Sequence, residues 1–372
     1  MPHTPSLLIT IIGFVLLLGP LVVIHELGHY LVARWLGVKA DAFSVGFGKE
    51  VFGRTDKRGT RWKLSAIPLG GYVQFAGDMN PTSQPDNFVL EGLSDAERAV
   101  TFNVQPLWKR AAIVAAGPLT NLLFALVIFS AFNLAFGKIV APPVVDGFTP
   151  NSPAQAAGLK VGDRVVAIDG AQIEDFETLR QRVWPYPEGV FKLTVRRDGV
   201  DHPVTIHAAT KVLTDKFGNE SRVGLLGVMA AKPRIEPVGP VEAVTMSVTQ
   251  TGGIMRMLVV GVYQIVTGER SVKELGGPIK TAKYSGEQLS LGWLEFVSFA
   301  AFISINLAFI NLLPIPALDG GHLAFYAAEA VRRRPLGVRS QDWAYRTGMA
   351  FVLALMLFVT LNDVVSLLPF GR

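Results

Sequence analysis

The chain has no cysteine among its 372 residues. That excludes disulfide staples, thiolate zinc ligands and a cysteine nucleophile. Charge is scarce as well: Asp, Glu, Lys and Arg make up 17% of the residues, against 50% hydrophobic ones, and the mean hydropathy is positive at +0.36. Soluble domains carry roughly a quarter charged residues, so this balance points to a polytopic membrane protein. The net charge of +5 is modest and no basic run interleaved with aromatics occurs, which argues against a nucleic-acid partner. Met1 to Ser6 hold no Lys or Arg, and no small-residue cleavage site follows the first apolar run. That run is therefore expected to stay in the mature chain.

Long apolar stretches are what the sequence has in abundance. They lie at about 7–36, 111–136, 296–318 and 347–368, the last interrupted by Asp363, and each is long enough to span a bilayer. Arg34, Lys39, Lys49, Arg54, Lys57, Arg58, Arg61, Lys63, Lys109 and Arg110 fall between the first two. Arg332, Arg333, Arg334, Arg339 and Arg346 fall between the last two. By the positive-inside rule both loops face the cytoplasm, and the long 137–295 segment faces the other side.

The expected fold is a polytopic α-helical membrane protein with about four transmembrane helices, a membrane-associated β-hairpin and one inserted mixed α/β domain. Residues 1–136 and 293–372 form the two halves of a membrane core, 144–231 the inserted domain, and 232–292 an amphipathic helical connector. Within the connector, 241–266 reads as a helix lying on the membrane, since Arg256 sits mid-segment between Gln250 and Gln264. Residues 62–75 read as two short strands around Gly70 and Gly71, a hairpin beside the membrane. Residues 78–97 read as a polar connector without regular structure.

In the inserted domain, Asp163 to Gly170 reads as a strand ending in an Asp-Gly turn, 176–183 as a short helix, and Asp198-Gly199 as a hairpin turn. Ser152 to Asp163 resembles the entry to a bacterial PDZ domain, a module that binds extended peptides at a sheet edge. Gly224, Leu225, Leu226 and Gly227 resemble its carboxylate-binding loop, where successive N–H groups form an anion nest.

The chemistry concentrates in His25-Glu26-Leu27-Gly28-His29, at the end of the first apolar run. Residues four apart share a helix face, so His25 and His29 can offer imidazole nitrogens to one metal ion, with Glu26 beside them as a general base toward water. Such groups are expensive at membrane depth, which makes them functional candidates. Two histidines do not complete a catalytic zinc site. Val32 and Trp35 stand where a longer zinc-peptidase motif needs Gly and His; His3 is terminal, and His202 and His207 belong to the inserted domain. Asp319, in Asn311-Leu-Leu-Pro-Ile-Pro-Ala-Leu-Asp319-Gly-Gly-His322, ends the third apolar segment at matching depth. Zinc coordination removes the penalty of an unpaired Asp there.

The two halves together resemble the site-2 protease family of intramembrane zinc metalloproteases (peptidase M50 type), closest to the bacterial regulator-of-sigma-E group. The likeness runs through Gly46-Phe47-Gly48, Ile67 to Val73, Ala116-Gly117-Pro118-Leu119-Thr120-Asn121, the PDZ-like segment, Gly276 to Ile279 and Asn311 to Gly320. It covers almost the whole chain. Enteric members carry two PDZ domains, whereas this chain has room for one.

The resemblance implies His25, His29 and Asp319 as ligands of one Zn2+ per chain, Glu26 as general base, and Asn311 with the Gly70-Gly71 hairpin as substrate contacts. It implies an endopeptidase that cuts within transmembrane segments in regulated proteolysis, for example of an anti-sigma factor or of signal-peptide remnants. Its partners would be membrane lipid and single-span substrates already trimmed by another protease. The expected location is the bacterial inner membrane, with the active site near the cytoplasmic side and the PDZ domain periplasmic. The rival reading is a non-catalytic adaptor that binds envelope-protein tails through the PDZ domain. A metal transporter would need polar residues at mid-depth in several spans, and the second offers chiefly Asn121 and Asn133.

Overall fold

The computed structural model describes residues 5–77, 93–214, 220–272, 275–334 and 337–367. In chain order the helices are α1 (Leu7–Trp35), α2 (Asp95–Val100), α3 (Leu107–Phe136), α4 (Pro153–Ala156), α5 (Phe176–Val183), α6 (Pro240–Val266), α7 (Pro278–Leu291), α8 (Trp293–Leu312), α9 (Asp319–Arg332) and α10 (Val338–Leu367). The long strands are β1 (Ala40–Thr55) and β2 (Arg61–Phe75). The remainder are β3 (Lys138–Val140), β4 (Val145–Phe148), β5 (Arg164–Ile168), β6 (Ala171–Gln172), β7 (Val190–Arg197), β8 (Val200–His207), β9 (Ala209–Thr214), β10 (Glu220–Leu225), β11 (Val228–Ala230) and β12 (Arg234–Glu236).

The chain divides into two compact units. One comprises Met1–Ile128 and Gly276–Asp363, the other Phe129–Leu275 and Val364–Arg372. Among the described residues, four helical stretches are long and apolar enough to cross a membrane: α1, α3, α8 and Trp343–Val365 of α10. The third stops at Leu312, not near 318 as the hydropathy suggests. Pro314 disfavours helical backbone at the residue before it, and Leu313 is accordingly extended (φ −63°, ψ 140°).

In the first unit, glycine sets how close the helices come. A Cβ on Gly13 of α1 would lie 2.9 Å from the carbonyl carbon of Ser285 in α7, and one on Gly286 would lie 2.7 Å from Cα of Thr10. The two helices thus touch backbone to backbone, the packing that small residues permit where no hydrophobic drive exists between helices. Gly28 of α1 does the same against α3, where a side chain would collide with Thr120 and the Ala116 carbonyl.

Residues 62–75 do not fold back on themselves. Their two ends flank β1: Phe43 lies opposite Trp62 on one side and Val73 on the other, and Val45 lies opposite Leu64 and Gly71. The local signal around Gly70-Gly71 is a bend within β2 (Gly70 φ 111°). The partner strand was invisible because Ala40–Thr55 carries glycines and charges throughout. This sheet packs on α1, α3 and α9 through Tyr30, Phe43, Val73, Phe75, Phe102, Ile113 and Tyr326. Of the connector read over 78–97, residues 78–92 lie outside the described ones. Residues from Asp95 onward form α2, started by a capping box between Ser94 and Glu97.

The second unit centres on a four-stranded antiparallel sheet in the order β6-β5-β7-β8, with β4 paired to β11 and β9 to β10. Val145, Leu159, Ile168, Leu179, Leu193, Val195, Ile206 and Leu226 form its core. Asp198 and Gly199 both have positive φ (51° and 81°), the conformation a two-residue turn between β7 and β8 requires. Asp163, 1% exposed, is held by Arg197 through two 2.7 Å hydrogen bonds. Helix α6 is tied in by polar contacts. Ser130 and Ser247 hydroxyls meet at 2.8 Å, Asn133 donates to Ala243 O and Gln250 Oε1, and Gln264 donates to Pro185 O at 2.8 Å.

Candidate active site

Helix α1 presents His25 and His29 on one face, four residues apart, and their Nε2 atoms lie 3.2 Å from each other. Asp319 opens α9, and its Oδ2 lies 3.2 Å from His25 Nε2 and 3.6 Å from His29 Nε2. The loop before it is tightly folded. Ala317 adopts φ 85°, rare for a residue with a Cβ. Side chains at Gly320 and Gly321 would collide with the carbonyls of Leu312, Leu313 and Ile315. Asp-Gly-Gly is therefore needed for close packing as much as for turning.

These three donor atoms fit zinc. A tetrahedral ion with bonds of about 2.0–2.1 Å holds its ligand atoms about 3.3–3.4 Å apart, close to the separations found here. Asp319 Oδ2 is buried beside the two imidazole nitrogens and has no hydrogen-bond donor among the described residues, a costly state for a carboxylate oxygen that a cation between the three groups relieves. His29 Nδ1 lies 2.9 Å from the Ile113 carbonyl, which fixes the proton on Nδ1 and leaves Nε2 free to bind metal. Gly117 of α3 forms the floor: a Cβ there would collide with the His29 imidazole and lie 2.9 Å from His25 Cε1.

The cluster opens into a cavity of about 600 Å³ lined also by Glu26, Gly71, Tyr72, Asn311 and His322. Glu26 and Val73 line it together, so the end of β2 lies against the candidate base. Gly71 makes that approach possible, since its missing Cβ would lie 2.7 Å from Ser44 O and 3.4 Å from Glu26 Cγ. His322, one turn after Asp319, lies 2.8 Å through Nδ1 from the Tyr345 hydroxyl.

The model of the family described as Peptidase family M50 matches residues 13–355. The chain belongs to peptidase family M50. Two relatives named as zinc metalloproteases, from Agrobacterium fabrum and Mesorhizobium japonicum, are each 44% identical to this M50 peptidase. The alignments cover 96% of both chains in the first case, and 95% of this chain and 98% of the relative in the second. Metalloprotease MmpA of Caulobacter vibrioides is 33% identical over 96% of this chain and 95% of its own length. This M50 peptidase is thus a zinc metalloprotease, and its apolar helices make it a multi-pass membrane protein. The adaptor reading is set aside.

The structure brings His25, Glu26, His29, Asp319, Asn311 and Gly71 to one cavity of the M50 peptidase. Gly70 stands next in the chain, pressed against the Phe47 ring. Gly224, Leu225, Leu226 and Gly227 lie in the other unit, along a groove of about 170 Å³ completed by Phe176, Leu179, Val183 and Trp184. Gly224 donates its N–H to Trp184 O at 3.0 Å, so that amide is not free for a carboxylate. Sequence reasoning missed Gly117 and the Ile113 carbonyl as parts of the site. A signal for the first was present in Gly117 and Asn121, a glycine and an amide four apart in a helix of membrane length.

Proposed function

We propose that this zinc metalloprotease hydrolyses peptide bonds within transmembrane segments of single-span membrane proteins, such as an anti-sigma factor or a signal-peptide remnant. The observation that carries this reading is the place of the His25, His29 and Asp319 cluster. It lies on a helix of membrane length, beside the loop that ends a second one.

In this reading His25, His29 and Asp319 hold zinc, which when bound supplies Lewis acidity toward a carbonyl oxygen and toward water. Glu26 takes the proton of the attacking water and delivers it to the leaving amine nitrogen. A substrate helix hides its amides in i to i−4 hydrogen bonds and must unwind before it can be cut. The Gly71 to Val73 stretch of β2 lines the cavity, and an extended peptide is held alongside it. Asn311, on the cavity wall, supplies a side-chain amide for the same peptide.

The 144–231 segment serves as a PDZ domain, and the apolar groove beside α5 takes peptide from substrates already shortened by another protease. The Lys and Arg of the two short loops set the orientation in the bacterial inner membrane, with the catalytic cavity toward the cytoplasm and the PDZ domain in the periplasm.

The test is cleavage of a short single-span reporter by the intact protein and by Glu26→Gln, which keeps all three metal ligands. Cleavage by the first alone is expected. Equal cleavage by both sinks the role given to Glu26, and no cleavage by either, even after removal of 144–231, sinks the intramembrane reading.

A further inference from the structure

Asn121 is fully buried at 0% exposure, in the middle of α3, where a polar side chain needs a reason. Its amide nitrogen lies 3.4 Å from His25 Nδ1, while its Oδ1 is buried with no hydrogen-bond partner among the described residues. The backbone on which it sits is anchored by a second buried residue, since Ser304 Oγ of α8 donates to Asn121 O at 2.8 Å.

Two orphaned atoms thus belong to the same site, Asp319 Oδ2 and Asn121 Oδ1, and one arrangement satisfies both. If His25 binds a cation through Nε2, its single proton must sit on Nδ1, and an N–H pointing at an amide nitrogen finds only donors there. A half-turn of the Asn121 side chain about its last torsion exchanges nitrogen for oxygen within the same volume. Oδ1 then accepts from His25 Nδ1–H. The other histidine already has such an acceptor in the Ile113 carbonyl at 2.9 Å. Acceptors of this kind fix the tautomer and ring orientation of metal-binding histidines.

We infer that Asn121 is a positioning residue for the metal centre, holding His25 in the Nδ1–H tautomer through its side-chain oxygen. The inference rests on His25 being a zinc ligand. A hydroxyl or a methyl at 121 would fall short of the imidazole, and Asp would keep an oxygen at the same reach. The requirement is for an acceptor at that distance, not for bulk.

The experiment is competition for zinc against a chelator of known affinity, on the purified full-length protein in detergent, with Asn121→Leu, Asn121→Asp and His25→Ala. Asn121→Leu fills the space without an acceptor and is expected to weaken zinc binding by roughly 10- to 100-fold. Asn121→Asp is expected to stay within about threefold of the parent, a rescue that loss of packing alone cannot give. The thermal midpoint of the zinc-free protein is read in parallel. A Leu variant with the parent's midpoint and weakened zinc binding assigns the effect to the ligand. If the Leu variant does not fold, Asn121→Ser, with its shorter hydroxyl, takes its place beside Asp and is expected to show the same weakening. Parental affinity in the acceptor-free variants, or an equal loss in Asn121→Asp, overturns the inference. Unchanged zinc binding by His25→Ala shows instead that the ligand assignment beneath it has failed.

Discussion

Gly277 donates its backbone N–H to Asp363 Oδ1 at 3.1 Å, joining residues 86 apart in the chain. The same carboxylate accepts from the N–H groups of Ile279 and Lys280 at 3.1 and 3.0 Å, and the Lys280 amine lies 3.7 Å away. Asp363 is therefore the N-terminal cap of α7, supplied by α10. Its 0% exposure within an apolar helix is explained without any part in the chemistry. Glycine is needed at 277 because a Cβ would lie 2.6 Å from Asp363 Oδ2 and 2.8 Å from Val359 Cγ1.

Asp363→Ala leaves three N–H groups and a buried ammonium without their acceptor. A lost cap costs about 1 kcal/mol, and breaking a buried ion pair about 3–5 kcal/mol. The full-length protein in detergent should melt several degrees lower than the parent. An unchanged midpoint would remove Asp363 from the account of stability.

Gly117→Ala places a methyl group where the imidazoles of His25 and His29 lie. Both rings must move, and metal ligands tolerate little displacement. Zinc content and proteolysis should fall together, while circular dichroism keeps the parental helix signal. A variant that retains full zinc and activity would mean that the rings have room this structure does not give them.

Removal of zinc with a chelator should abolish proteolysis, and stoichiometric zinc should restore it. Glu26→Gln should retain zinc and lose about 10²- to 10⁴-fold in turnover, the range attributed to a general acid–base group. Loss of zinc in that variant would recast Glu26 as a ligand.

Asn311→Ala should slow cleavage of a reporter with a stable transmembrane helix more than one whose helix is weakened by Gly or Pro near the cut. The second needs less help in holding unwound backbone. Equal slowing, measured as initial rates on both, would deny Asn311 a place in substrate unwinding.

The Arg197 guanidinium, through its hydrogen bonds to Asp163, holds that carboxyl below the usual carboxylate range, helped by the Lys160 N–H. A lowered folded-state pKa adds stability above the unfolded value, about 3.9, and that stability is lost as pH falls below it. The thermal midpoint of the unit that holds Asp163 should therefore drop as pH falls below about 4. Arg197→Ala, which removes a charged partner worth about 1.5–3 kcal/mol, should be less stable at neutral pH and flatter toward acid. A parental acid slope in that variant would exclude the pair as its source.

Sequence alone determined the four apolar segments, because burial in lipid demands continuous hydrophobic length that hydropathy reads directly. It determined the pairing of His25 with His29 and the candidacy of Glu26, since helical spacing is local. It pointed to Asp319 through the cost of an unpaired carboxylate at that depth. The short helix at 176–183 and the turn at Asp198-Gly199 were legible for the same local reasons. Only tertiary structure decided what long-range contact creates. Residues 61–64 and 71–75 flank 40–45 instead of each other, and α7 packs on α1 through Gly13 and Gly286. Asp363 turned from an interruption into a cap, and Gly117 and Asn121 came to stand under the histidines. None of these has a periodicity to betray it. Each depends on which backbone lies 3 to 4 Å away, and that is settled by packing between segments distant in the chain.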